Sequence, residues 1–206
     1  MKQIFTLVMV ALSALGMAQG NFEKGMTKAF ELWEAGHLDK AENMFERIAT
    51  AEKDNWLPHY YIAQINSLKS WDVTDEAVLK AQLDKAQKHL DIAMGLSENN
   101  PELMVIQAQV LTNWIAFDGM TYGMKYSGKI TEIYNKAKAI APENPRVAFA
   151  KVEWEMGSAK YFGQDTAPFC KKFEETLELF KKFKAESEFH PDWGEKRAKQ
   201  VIAECK

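Results

Sequence analysis

The chain has 206 residues, of which 47% are hydrophobic and 27% are charged. That hydrophobic share excludes an intrinsically disordered chain, and the length suits one domain that buries roughly 70% of its unfolded surface. The formal net charge is −3, which argues against binding to nucleic acid or anionic lipid by bulk electrostatics. We therefore expect a single folded domain without a nucleic-acid partner.

The first 18 residues have the pattern of a secretory signal peptide. Lys2 precedes an apolar stretch that begins at Ile4, and small residues stand at Gly16 and Ala18. A basic start, a short apolar segment and a small-x-small end are typical of a cleaved signal, and the segment is shorter than the roughly 20 residues that span a bilayer. We predict cleavage after Ala18 and export, with the periplasm favoured over the medium. A retained anchor or a buried first helix is the alternative.

Four prolines recur at nearly constant spacing in the remaining residues, 19–206. Each follows a short polar turn, and the intervals are 43, 44 and 46 residues between Pro58, Pro101, Pro145 and Pro191. Proline favours the first helical position, because its fixed φ suits the helix and its missing N–H would lack a partner there. Each proline therefore predicts the start of a helix, and together they indicate an internal repeat.

Apolar residues spaced three and four apart lie on both sides of these prolines. An example is the pair Tyr134 and Ala137, and such spacing lets two helices pack closely. We predict an all-α fold of about four helical hairpins and a capping helix, with no strand and no dividing linker. The predicted helices span residues 22–35, 38–52, 58–71, 78–96, 101–117, 128–141, 145–160, 167–187 and 192–205.

The stretch from Tyr134 to Pro145 reads YNKAKAIAPENP. It resembles the second helix and closing turn of the tetratricopeptide repeat (TPR) family. A second set of residues is similar to one whole unit of that family: Ala29, Leu32, Gly36, Leu38, Ala41 and Phe45. The period exceeds the family's roughly 34 residues, and the excess lies between paired helices, at 72–76 and 118–127. The whole chain also resembles small exported bacterial TPR proteins.

The resemblance implies a TPR-like α-solenoid whose first helices line a concave, partner-binding surface. The repeated polar residues of those helices would then face this groove, with plain solvent exposure as the alternative. We also expect residues 118–128 to form a compact loop, in which Gly123 and Gly128 adopt positive φ. The predicted partner-contacting residues are Asn66, Gln109, Asn113, Glu153, Tyr122 and Tyr126.

No motif for catalysis or metal binding stands out in the sequence. Residues 123–129 read GMKYSGK and imitate a phosphate-binding loop, but Ile130 stands where that motif needs Ser or Thr to hold Mg²⁺. None of the four histidines has another His or Cys three or four residues away, so metal-ligand spacing is absent. We predict no enzyme activity, no cofactor and no metal site.

Cys170 and Cys205 are the only two cysteines. Export would place them in an oxidising compartment. Cys170 opens the last repeat's second helix and Cys205 closes the antiparallel cap, so the start of one helix would meet the end of the other. A rise of 1.5 Å per residue leaves the two helices offset by several residues. A disulfide and a pair of free thiols both remain open.

Three classes of function are compatible with these residues. The first is a non-catalytic exported scaffold that binds a protein or peptide through its concave face. The second is a periplasmic small-molecule carrier with a pocket near the 118–128 loop. An enzyme with a scattered site ranks last. We predict the scaffold and keep the carrier as the alternative.

Overall fold

The computed structural model describes residues 20–205, and the predicted signal peptide lies outside them. This part of the chain is helical and contains no strand, which confirms the all-α fold class. Between residues 20 and 205, no helix combines the length and the hydropathy needed to cross a bilayer. The helices are α1 (20–34), α2 (Leu38–Ala51), α3 (Trp56–Lys69), α4 (Glu76–Leu96), α5 (Pro101–Phe117), α6 (Gly119–Ile140), α7 (Pro145–Tyr161), α8 (Ala167–Lys182) and α9 (Glu195–Glu204).

Two helices begin at the prolines that the sequence marks. Pro101 and Pro145 are the first residues of α5 and α7, and the side chains of Asn100 and Asn144 accept hydrogen bonds from first-turn N–H groups. Asparagine at this position satisfies amides that have no partner inside the helix. The prediction is less accurate for α3, which begins two residues before Pro58, because Asn55 caps it earlier.

The predicted loop at 118–128 is wrong, because α6 runs without a break from Gly119. The Asp118 carboxylate accepts hydrogen bonds from the backbone N–H groups of Met120 and Thr121 and so starts the helix at Gly119, before the predicted start at residue 128. In the described chain the glycines with positive φ are Gly36, Gly163 and Gly194. The two glycines of the predicted loop are therefore ordinary helical residues.

The helices pack as successive antiparallel pairs. The α3–α4 and α5–α6 pairs have the most extensive contacts, and α3, α5 and α7 also contact one another in a row. Most residues of the apolar stretches that follow Pro58, Pro101 and Pro145, at 60–63, 103–106 and 147–150, are buried in this row. A helix packed between neighbours needs such a broad apolar face, so the repeat pattern specifies the core.

The segment after α8 folds back across the row of odd-numbered helices. We call residues 183–194 the strap. Tyr61 Oη donates a hydrogen bond to the Phe189 carbonyl (2.8 Å), and Trp193 Nε1 donates one to Tyr60 Oη (2.6 Å). The Phe189 ring also packs edge-on against Phe22 of α1, with 5.7 Å between ring centroids. The strap thereby covers part of the face on which the TPR resemblance places a partner-binding groove.

A disulfide joins Cys170 of α8 to Cys205 at the end of α9, with the two Cα atoms 5.9 Å apart. The predicted cap, 192–205, is shorter than expected, because α9 begins only at Glu195. Gly194 precedes it with φ of 111°, and a Cβ there would lie 2.7 Å from the Phe180 ring. Glycine is therefore required at this turn, and the disulfide closes a loop that contains the strap.

Candidate functional site

Two of the amides predicted to face a partner are buried and engaged inside the protein. Asn66 is 2% exposed and donates hydrogen bonds to Glu42 Oε1 and to the Ile62 carbonyl, both at 2.9 Å. Asn113 is also 2% exposed, and it donates hydrogen bonds to Ser67 of α3 and to Ser70 directly after that helix. The prediction that Asn113 lines an open groove is wrong, because neighbouring helices cover it. Asn66 lies in the wall of a groove between α2, α3 and α4, but its amide donates its hydrogen bonds within the protein. Their role is to join α2, α3 and α5.

Gln109 and Glu153 are half-buried. The Glu153 carboxylate accepts a 3.3 Å hydrogen bond from Arg197 Nε of α9. Burial raises the pKa of Glu153, and Arg197 partly offsets that rise. Glu153 therefore attaches the terminal helix to α7.

Tyr122 and Tyr126 lie on the first turns of α6 and not in a loop. Their rings stack 5.9 Å apart, and Tyr122 also packs on Trp114 of α5 with 4.9 Å between ring centroids. Tyr122 Oη donates a hydrogen bond of 2.9 Å to the carboxylate of Glu76, at the start of α4. The two tyrosines thus hold the start of α6 against α4 and α5, on the inner side of the helix.

The outer side of the same helical turns carries the most exposed large apolar side chains of the described chain. Met120 and Met124 are 88% and 96% exposed, and Tyr161 and Phe162 at the end of α7 are 70% and 72% exposed. We call these four residues the Met–Tyr patch. Soluble proteins seldom leave large apolar groups clustered in water unless the surface binds something, so this patch is the candidate functional surface.

Helical spacing places the two methionines beside α7. Met124 follows Met120 by four residues and Thr131 follows Met124 by seven, so the three residues share one face of α6. Trp154 Nε1 of α7 donates a 3.0 Å hydrogen bond to Thr131 Oγ1 on that face. At the other end of the contact, a Cβ on Gly119 would lie 3.8 Å from the Tyr161 ring. The start of α6 and the end of α7 are therefore adjacent.

A concave surface with a volume of about 590 Å³ lies between α2, α3 and α4. Glu42 is buried in it and contacts Lys85, Lys69 and Asn66. Burial acts to raise the pKa of Glu42, but hydrogen bonds from Lys85 and Asn66 outweigh it and hold that pKa below its usual value. These charges neutralise one another, so the groove links three helices and offers no net charge to a ligand.

The tertiary structure pairs two histidines that the sequence leaves 30 residues apart. The Nδ1 atoms of His59 in α3 and His89 in α4 are 2.8 Å apart, so one ring donates an N–H hydrogen bond to the other. Burial and the neighbouring His59 lower the pKa of His89 to about 4. Among residues 20–205, no group of three or more His, Cys, Asp or Glu side chains is arranged to hold a metal ion.

These features define a class: an all-helical protein of paired helices, closed by a disulfide and a strap, with an exposed apolar patch at one end. No family model matches the sequence, and no curated protein does. Among solved structures, the chain is similar to the HusA haemophore from Porphyromonas gingivalis. The TM-score is 0.75, the match covers 90% of this chain and 92% of that chain, and the identity is 19%. The two proteins share a fold.

Proposed function

We propose that this chain is an exported, non-catalytic carrier of a planar, largely apolar small molecule of the haem class. The observation that carries the proposal is the Met–Tyr patch, with its four large apolar side chains in water. The similarity in fold to a haemophore supports the same reading. Two residues of the patch, Met120 and Met124, belong to the 118–128 segment, near which the carrier alternative places its pocket.

The composition of the patch suits a flat ligand. Thioether side chains are flexible and polarisable and make favourable contacts with aromatic systems, and the rings of Tyr161 and Phe162 can contact a flat face directly. Fully covering one such side chain contributes about 1.5–3 kcal/mol. The driving force would therefore be apolar contact, in keeping with the absence of any motif for catalysis in the sequence.

Export rests on one prediction from the sequence and one structural observation. The predicted signal peptide supplies the route, although it lies outside the described residues. The Cys170–Cys205 disulfide fits an oxidising compartment and would be reduced in most cytoplasms. The polar residues first predicted to bind a protein partner are largely engaged inside the chain, so the structure gives the scaffold reading less support than the carrier reading.

A haem titration of the purified mature chain tests the proposal. We expect saturable binding, visible as a shift of the haem absorbance band and as quenching of tryptophan fluorescence. The variants M120A/M124A and Y161A/F162A should each weaken the affinity at least about tenfold, or 1.4 kcal/mol.

Ile140→Ala is the matched control, because Ile140 is a 44% exposed apolar residue at the opposite end of α6, about 30 Å along the helix from Met120. Its affinity should equal that of the unaltered chain. Absence of saturable binding, or equal loss in Ile140→Ala, would contradict the proposal. Capture of an envelope protein that is lost in M120A/M124A, without haem binding, would support the scaffold instead.

A further inference from the structure

We propose that Met120 and Met124 form a paired oxidation site, at which a peroxide converts both thioethers to sulfoxides and thereby abolishes ligand binding at the Met–Tyr patch. The consequence for binding rests on the proposed function. The modification itself rests on the exposure and surroundings of the two side chains and holds for any ligand.

The exposure of these two methionines sets them apart. Met120 and Met124 are almost fully exposed, whereas Met26 is 0% exposed in the core. The other described methionines are half-buried: Met44, Met94, Met104 and Met156. Because a peroxide must reach the sulfur atom, it will attack Met120 and Met124 before the rest.

The neighbours of the two methionines on α6 leave the sulfur atoms without cover. Positions three and four residues away are adjacent on a helix surface. Gly123 stands three residues after Met120, and Gly128 stands four residues after Met124. A Cβ at either glycine would have no heavy atom of a neighbouring segment within 4 Å. Two glycines therefore keep the surface around the thioethers open to solvent.

The chemistry requires only a peroxide. The thioether sulfur attacks one oxygen of hydrogen peroxide, the O–O bond breaks and an S–O bond forms. The proton on the transferred oxygen passes to the departing hydroxide, which leaves as water. Each sulfur loses two electrons, which reduce the peroxide. Methionine sulfoxide reductases reverse the change, so the site can act as a switch as well as a point of damage.

The product is incompatible with apolar contact. A sulfoxide is polar and carries a hydrogen-bond acceptor, and covering such a group without a partner is unfavourable. Met120 and Met124 lie one turn apart, so their sulfoxides would place two dipoles together in the patch. We expect oxidation to weaken haem binding about tenfold or more.

Peptide mass spectrometry of the folded protein after hydrogen peroxide treatment tests the site. We expect one added oxygen at Met120 and at Met124, at rates at least about tenfold above that at Met26. Equal rates at all three positions would overturn the oxidation site, because exposure would then not govern the reaction.

The binding consequence is tested with the M120L/M124L variant, which conserves side-chain volume and lacks sulfur. Peroxide should lower the haem affinity of the unaltered chain and leave that of the variant unchanged, and a methionine sulfoxide reductase should restore the loss. Haem binding that survives full oxidation would overturn the switch and leave the carrier proposal intact. Absence of haem binding before treatment would overturn the carrier proposal and leave the mass-spectrometric result to decide the site.

Discussion

The guanidinium of Arg146 and the carboxylate of Glu102 form a two-point ion pair from which solvent is excluded. The Nε–Oε2 and Nη2–Oε1 distances are each 2.7 Å, and the side chains are 0% and 1% exposed. Each residue directly follows a proline that starts a helix, so the pair joins equivalent positions of α5 and α7. The guanidinium also lies 4.3 Å from the centroid of the Phe183 ring, which attaches the strap.

Burial acts to raise the pKa of Glu102, but contacts with His190 and Arg146 outweigh it and hold that pKa below its usual value. Removing one partner would leave the other as a buried, uncompensated charge. We therefore expect Arg146→Met to lower the free energy of unfolding by about 3–5 kcal/mol. Urea denaturation measures the change. The double variant R146M/E102L should recover much of the loss, because neither charge then remains.

Arg197→Met is the control for this prediction. Arg197 pairs with Glu153 at the surface and is 52% exposed. Surface pairs contribute about 0–1 kcal/mol. A loss in Arg146→Met no larger than in Arg197→Met would contradict the structural role of the buried pair.

Phe189 should be the main anchor of the strap. Its ring is 7% exposed, and its carbonyl accepts the hydrogen bond from Tyr61. Phe189→Ala should cost about 3–5 kcal/mol of stability, because it leaves a cavity in the core. Phe162→Ala removes the same atoms from a 72% exposed site, and we expect a change within about 0.5 kcal/mol. Equal unfolding midpoints for the two variants would show that the strap is not packed in solution.

The histidine pair should make stability fall in acid. The folded-state pKa of His89 is about 4, below the ordinary value of 6.5, so the unfolded chain takes up the proton first. The stability that depends on an uncharged His89 is fully present above about pH 6.5 and is lost as the pH falls towards 4. The ring is half-buried and faces His59, Glu46, Lys85 and Lys88, so solvent screening limits the loss to about 1–2 kcal/mol.

The measurement is the free energy of unfolding across this pH range in the unaltered chain and in His89→Gln. The variant should have a flatter profile than the unaltered chain. His37→Gln serves as the control, because His37 is exposed before α2. Parallel profiles for His89→Gln and the unaltered chain would rule out this assignment.

The helix cap at Asp118 should affect haem affinity at the Met–Tyr patch. Its carboxylate caps α6 through the N–H groups of Met120 and Thr121. Asp118→Ala should lower stability by about 1 kcal/mol and loosen the turn that positions Met120. Haem affinity should fall in this variant, whereas Asp118→Asn, which can still cap the helix, should bind like the unaltered chain. Calorimetric titration with haem measures the affinity of both variants. Equal affinity for Asp118→Ala and Asp118→Asn would exclude the coupling.

Sequence reasoning succeeded where the signal was local. The start of α5 follows from Asn100 and Pro101, and the start of α7 follows from Asn144 and Pro145. It failed at 118–128, where two glycines were given more weight than the capping residue Asp118. The start of α6 also depends on a local interaction, between Asp118 and the N–H groups of the next turn, so this error came from choosing between two local signals and not from a missing tertiary contact.

The sequence by itself determined the helical class, the position of most helices and the apolar faces that form the core. Only the tertiary structure decided where the strap lies, that His59 meets His89, and that Asn66 and Asn113 are buried while Met120 and Met124 are exposed. The reason is physical. Capping and proline geometry depend on residues next to each other in the chain, whereas burial and pairing depend on which helices come together.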